Sequence, residues 1–178
     1  MYTIESDRLI LQPLTLDDTG FVIELLNTEG YLRYIANRHV KTAAQAEEYL
    51  KKGPLTSYEL NGFGLGLVRL KDTGQSIGMC GLLKRDYLDH PDLGFAFLPA
   101  YTGKGYAFEI ACATVHHAFS YLGLKKIFGI TLPENFTSIR LLQKIGFVYV
   151  RNFIVADTKE ELSLYSIEKK IIEELTSE

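Results

Sequence analysis

The stretch that most constrains this chain is DLGFAFLPAYTGKGYAFEIA, residues 92–111. An apolar strand-like run ends at Pro99, two glycines flank Lys104, and apolar residues then recur at helical spacing. Strand, Gly-x-Gly, helix leaves the first amides of a helix bare, with the helix dipole behind them, and a phosphate is the usual guest of such a site. Glycine suits the position because a side chain would hold a ligand off the backbone and because such loops often use positive φ. Taken alone, the motif also fits a plain strand-to-helix turn. Two familiar phosphate loops are excluded by spacing. No GxxxxGK followed by Ser or Thr occurs. A dinucleotide fingerprint needs a third glycine where Phe108 stands and an acid roughly 20 residues on, where Tyr121, Leu122 and Gly123 stand.

Around this motif the chain alternates strands and helices. Residues 8–14 read as a strand, followed by a helix with Thr15 as N-cap. Residues 42–52 read as a helix with a Thr42/Gln45 capping box, stopped by Gly53-Pro54. GFGLGLVRL and SIGMCGLLKRD, joined by KDTGQ, make an antiparallel hairpin, and 92–98 a further strand whose Gly94 marks a bulge or a close backbone approach. Ala107, Ile110, Ala111, Thr114, Ala118 and Leu122 share one face of a helix that Gly123 can end. Residues 125–132 form a buried-type strand, a helix runs from near Asn135 to Gly146, and a strand pair closes the chain. No repeat or Pro/Ser-rich linker divides it, so 1–178 reads as a single α+β domain.

Composition narrows the function classes. The chain has 178 residues, 47% hydrophobic and 23% charged, enough for a sizeable core. A net charge of −3 lacks the Lys/Arg excess that direct nucleic-acid binding requires. Cys80 and Cys112 lie in apolar surroundings without CxxC spacing, as free thiols in a reducing compartment do. With no apolar run of membrane-spanning length and no signal-peptide pattern, the expectation is a cytoplasmic protein, as monomer or homodimer, with no membrane partner.

Three motifs in order carry a resemblance to a known family. DRLILQPLTLDD, DLGFAFLPAYTGKGYAFEIA and TLPENFTSIRLLQKIGF together resemble the GNAT superfamily of acetyl-CoA-dependent N-acetyltransferases, in the branch containing the ribosomal-protein N-terminal acetyltransferases (RimJ/RimL-like). The resemblance spans nearly the whole chain. It implies a mixed α/β GNAT fold, with a central, mostly antiparallel twisted sheet of about 6–7 strands flanked by helices and splayed at the two central strands. It also implies acetyl-CoA as cosubstrate, no metal, and an amine acceptor.

Residue by residue, the resemblance places the CoA pyrophosphate on Thr102, Gly103, Lys104, Gly105, Tyr106 and Ala107. Thr102 stands where the family usually has Gln or Arg. The pantetheine arm would lie between strands 93–98 and 127–132, pairing with main-chain groups of Phe95 and Phe97, and an amide at Phe97 or Leu98 would stabilise the oxyanion. Asn135 occupies a cofactor-contacting position and is equally a helix N-cap. For the chemistry, Asp92 is the candidate base, with His90 as a weaker one, and Ser138 the candidate acid that protonates the thiolate, with Tyr149 in reserve; Leu142 replaces a Tyr that many relatives use as acid. Glu109 belongs to the acceptor side or the solvent. His116 and His117 point about 100° apart on a helix and cannot chelate one metal together. The expected reaction is direct acetyl transfer through a ternary complex to a primary amine, with a protein or peptide N-terminal α-amine first. A small-amine acetyltransferase and a non-catalytic CoA-binding regulatory module are the alternatives, and segments 30–40 and 56–64 would form the acceptor groove.

Overall fold

The computed structural model describes residues 3–169. One twisted sheet organises them. Its strands are β1 (Ile4–Glu5), β2 (Leu9–Pro13), β3 (Leu65–Leu70), β4 (Ser76–Leu83), β5 (Asp92–Phe97), β6 (Lys126–Thr131), β7 (Val148–Ile154) and β8 (Glu161–Glu168), in spatial order β1-β2-β3-β4-β5-β6-β8-β7. The sheet therefore has eight strands against the expected six or seven. The extra one is the two-residue β1, too short to show any alternation in sequence. Every neighbouring pair is antiparallel except β5 and β6.

Helices cover both faces. On one side lie α1 (Thr19–Leu26), α2 (Glu29–Tyr34), α3 (Ala43–Leu50) and α4 (Thr56–Asn61); on the other lie α5 (Tyr106–Ser120) and α6 (Phe136–Ile145). Strand alternation feeds the two layers. Val68 and Cys80 face Ile110, Ala111 and Val115 of α5, whereas their neighbours Leu67 and Met79 face Val22 and Leu25 of α1 and Leu50 of α3. Burying each such Leu, Ile or Val contributes about 1.5–3 kcal/mol of transfer free energy, so both faces are firmly held.

The local signals behave as their chemistry directs, with two exceptions. Thr15 and Thr42 both form capping boxes, with Asp18 and Gln45, although Thr15 caps a 3₁₀ turn (Leu16–Asp18) that leads into α1. Gly53-Pro54 does not stop the chain's helical path. Residues Lys51–Leu55 widen into a π-turn that absorbs the N–H missing from Pro54, and α4 continues until Gly62, at φ +73°, turns the backbone. Gly94 is no bulge either: β4 and β5 keep regular register through Gly81↔Gly94. Nor does backbone come close to it; a side chain does, since a Cβ there would lie 2.4 Å from Leu83 Cδ1.

The feature that positions the site is the β5–β6 junction. The two strands share a single register pair, Asp92↔Phe128, reinforced by the Phe128 N–H donating to the Pro91 carbonyl at 2.9 Å. Beyond that pair they part. The sheet is thus splayed between its central strands, and a slot opens beside the C-terminal half of β5.

Candidate active site

A cleft of about 1770 Å³ runs from this slot to the helical layer of α2, α3 and α4. Its floor is β5, one wall is β6 with the start of α6, and the loop before α5 closes one end. The N–H of Leu98 donates to the Ile77 carbonyl at 2.9 Å, so it points toward β4. By strand alternation, the main-chain groups of Phe97 and Phe95 turn the opposite way, into the slot. Of the two oxyanion donors expected from the sequence, Leu98 is therefore already engaged, its side chain buried beneath the α1–α3 layer, and Phe97 is the one that faces the opening.

At the closed end, Gly103 and Gly105 sit at φ +73° and +83°, the left-handed region where side chains are strained. Gly105 is the N-cap of α5 and has no side chain to cap it, and the first intrahelical bond is Glu109 N–H to the Gly105 carbonyl at 3.0 Å. The amides of Tyr106, Ala107 and Phe108 are therefore without helical acceptors, and Gly103, Gly105, Ala107 and Phe108 line the cleft. This donor set, backed by the dipole of a 15-residue helix, fits a pyrophosphate. The glycines are needed for their positive φ rather than to clear room: a Cβ on Gly103 would meet nothing within 4 Å, and one on Gly105 would face Arg8.

Three side chains of the loop have partners of their own. The Thr102 hydroxyl donates to the Pro99 carbonyl at 2.9 Å and its amide bonds the same oxygen at 3.2 Å, while the residue itself still lines the cleft. Lys104 Nζ lies 5.3 Å from the Tyr101 ring centroid, and the Tyr106 ring lies under Arg8 with 4.5 Å between guanidinium carbon and centroid.

Asn135 and Ser138 come together at the head of α6, both on the cleft wall. Asn135 is the N-cap: its Oδ1 accepts from the Ser138 N–H at 3.1 Å, which leaves the amide NH₂ for a ligand. The Ser138 hydroxyl does not bond back to the preceding turn, so the serine is not a structural one of that kind. Asp92 lies at the other end of β5, 1% exposed, with its carboxylate accepting from Arg85 Nε at 2.9 Å. Burial raises its pKa, and Arg85 opposes the rise only in part.

The remaining candidates fall outside the cleft. His90 packs edge-on against Phe128 at 5.2 Å, and Tyr149 is exposed on β7, donating to Asn152 Oδ1 at 3.2 Å. Leu142 is buried in the core against Gly129. Glu109 belongs neither to the acceptor side nor to solvent: Ser6 Oγ and the Arg8 N–H donate to its Oε1 at 2.7 and 2.8 Å, and Arg8 Nε to Oε2 at 2.7 Å. Burial would raise this carboxyl, but those donors outweigh it and hold the pKa below the usual value. Cys80 is buried and its thiol is pushed up to about 12 by desolvation, so it is no nucleophile. Among the described residues no cluster of three or more His, Cys, Asp or Glu could hold a metal. No helix there is long and apolar enough to cross a membrane.

The splayed mixed sheet agrees with the fold that the comparisons show. The family model described as acetyltransferase (GNAT) domain matches residues 8–148. The chain belongs to the GNAT acetyltransferase family. This GNAT chain is 28% identical over 172 residues to the uncharacterized N-acetyltransferase YoaA of Bacillus subtilis, covering 93% of this chain and 96% of YoaA. It superposes on a GNAT-family acetyltransferase from Bacillus anthracis with a TM-score of 0.79 at 25% identity, covering 95% and 99% of the two chains. Its fold is also that of RimL, a ribosomal L7/L12 α-N-protein acetyltransferase solved with coenzyme A, with a TM-score of 0.81 at 12% identity over 94% and 98%. As a GNAT enzyme it is an acetyl-CoA-dependent N-acetyltransferase.

Proposed function

We propose that the enzyme moves acetyl from acetyl-CoA directly to the terminal α-amine of a protein or peptide, in a ternary complex without a covalent enzyme intermediate. The observation that carries this reading is the single continuous cleft of about 1770 Å³, which joins the phosphate cradle and slot to the α2–α4 surface. That exceeds the roughly 300–1,000 Å³ of a one-ligand pocket, leaving room for cosubstrate and acceptor side by side.

In this reading the pyrophosphate lies on Gly103, Gly105, Tyr106 and Ala107, and the pantetheine arm pairs along Phe95 and Phe97, with Asn135 contacting it from the opposite wall. The thioester supplies the activated acetyl group. The Phe97 N–H stabilises the tetrahedral oxyanion, and the Ser138 hydroxyl passes a proton to the departing thiolate while taking one from water, so the serine is left neutral. Asp92, five residues from Phe97 along β5 and so roughly 16 Å away, receives the proton of the amine through intervening water. Burial raises its pKa, which makes it a stronger base than an exposed Asp, and Arg85 opposes that rise in part.

A peptide amine is favoured over a polyamine by charge. The acceptor half of the cleft carries Glu29 and Glu48 beside Arg33, Arg38 and Lys52, with Lys52 and Glu48 paired at 2.6 Å, so it lacks the acidic excess a polycation requires. A panel of short peptides with free N-termini, their Nα-blocked counterparts and polyamines, scored by release of CoA thiol, tests this. Turnover confined to free N-termini is expected. Turnover of polyamines alone would reassign the acceptor to small amines, and a blank panel with CoA still bound would favour a regulatory CoA-binding module.

A further inference from the structure

Arg8 lies outside the loop and helix motifs that mark the site, yet it meets the phosphate loop at several points. Its base is anchored: Nε and the main-chain N–H both donate to the Glu109 carboxylate, at 2.7 and 2.8 Å. From there the guanidinium reaches over the loop, with Nη1 donating to the Lys104 carbonyl at 3.2 Å and the group stacked on the Tyr106 ring. Nη2 would stand 3.4 Å from a Cβ on Gly105.

The bond to Lys104 has a directional effect. All peptides among the described residues are trans, and in a trans unit the carbonyl of one residue and the N–H of the next point opposite ways. Lys104 and Gly105 share such a unit. Holding the Lys104 carbonyl toward Arg8 turns the Gly105 N–H away from Arg8, and Gly105 lines the cleft while Lys104 and Arg8 do not. A loop with glycines at both 103 and 105 has a wide choice of conformations, and Thr102 bonds only to Pro99 within its own turn.

We infer that Arg8, clamped by Glu109, is the positioning residue that fixes the Lys104–Gly105 peptide and thereby sets the affinity of the loop for the pyrophosphate of CoA. It reaches the loop from the bend just before β2, whereas the Gln or Arg that the family usually carries at the Thr102 position stands within the loop. The inference rests on the CoA reading of the cradle. Because Glu109 neutralises the guanidinium, Arg8 acts through geometry more than through charge.

The test is calorimetric titration of CoA, and of pantetheine, which lacks the pyrophosphate, into wild type, Arg8→Ala and Arg8→Lys, with thermal unfolding of each free protein. Arg8→Ala is expected to weaken CoA on the order of tenfold, the scale of one charge-assisted hydrogen bond, with pantetheine affinity unchanged. Arg8→Lys is expected to fall near the Ala variant, because an ammonium cannot fork between Glu109 and the Lys104 carbonyl. It also decides the matter if Arg8→Ala fails to fold. Unchanged CoA affinity, equal loss for both ligands, or full retention by Arg8→Lys overturns the inference. A wild type that ignores CoA overturns the cradle reading and the inference together.

Discussion

Removing Arg85 should expose how the buried carboxylate at the head of β5 is tolerated. Asp92 is 1% exposed and its carboxylate is held by Arg85 Nε at 2.9 Å, while the Arg85 side chain keeps 29% of its surface. Arg85→Ala leaves that carboxylate buried without its partner. Breaking a buried pair by deleting one member costs about 3–5 kcal/mol. Water can enter where the arginine was partly exposed, so the lower end applies, about 3 kcal/mol near pH 7. For a chain of this size that corresponds to a fall of roughly 6–12 °C in melting temperature. The pH dependence identifies the cause. Burial already places the Asp92 pKa above its ordinary 3.8, and loss of Arg85 raises it further. An acid whose folded pKa lies above its unfolded one binds more protons when folded, so its contribution to stability falls as pH rises through that window. The deficit of Arg85→Ala should therefore shrink as pH drops from 7 toward 4, and Asp92→Asn in the same background should recover much of it at pH 7. Urea unfolding at several pH values reads both effects. A deficit below about 1 kcal/mol, or one that does not change with pH, would refute this account of the pair.

Three further outcomes are expected. Gly105→Ala forces a side chain to φ +83° and toward Arg8, at about 1–2 kcal/mol, so CoA affinity should fall several-fold in calorimetry while pantetheine binding holds; undiminished CoA affinity would separate the left-handed conformation from the cradle. Ser138→Ala should lower turnover and leave CoA affinity nearly intact, and unchanged turnover in steady-state assays removes Ser138 from the acid role. Glu109 has a folded pKa below its ordinary 4.5, so its stabilisation is present above that pH and is lost as pH falls through the folded value; the margin of wild type over Glu109→Gln in urea melts should narrow below pH 4.5, and a margin constant with pH would contradict the bonds drawn to it.

Much of the site was legible in the linear chain because its signals are local. Positive-φ glycines before an apolar helix, Thr42 three residues from Gln45, and Asn135 at the head of α6 each act within one turn of backbone, so spacing alone reveals them. The same local logic misplaced the helix stop at Gly53-Pro54, since a π-turn can absorb a proline when the flanking turns pack well. What sequence could not supply depends on register between strands. That Leu98 gives its amide to Ile77 while Phe97 faces the slot follows from how β5 lies on β4. Arg8 and Glu109 are 101 positions apart and meet only because β2 and α5 converge beside the loop. The burial of Asp92 against Arg85 is likewise a tertiary outcome. Spacing was enough to place bare helix amides behind a Gly-x-Gly turn beside a strand, an arrangement that fits an anion. The tertiary structure decided which amides face the cleft, which residue braces the loop and which carboxylate is buried, because those depend on side chains and strands that only the packed sheet brings together.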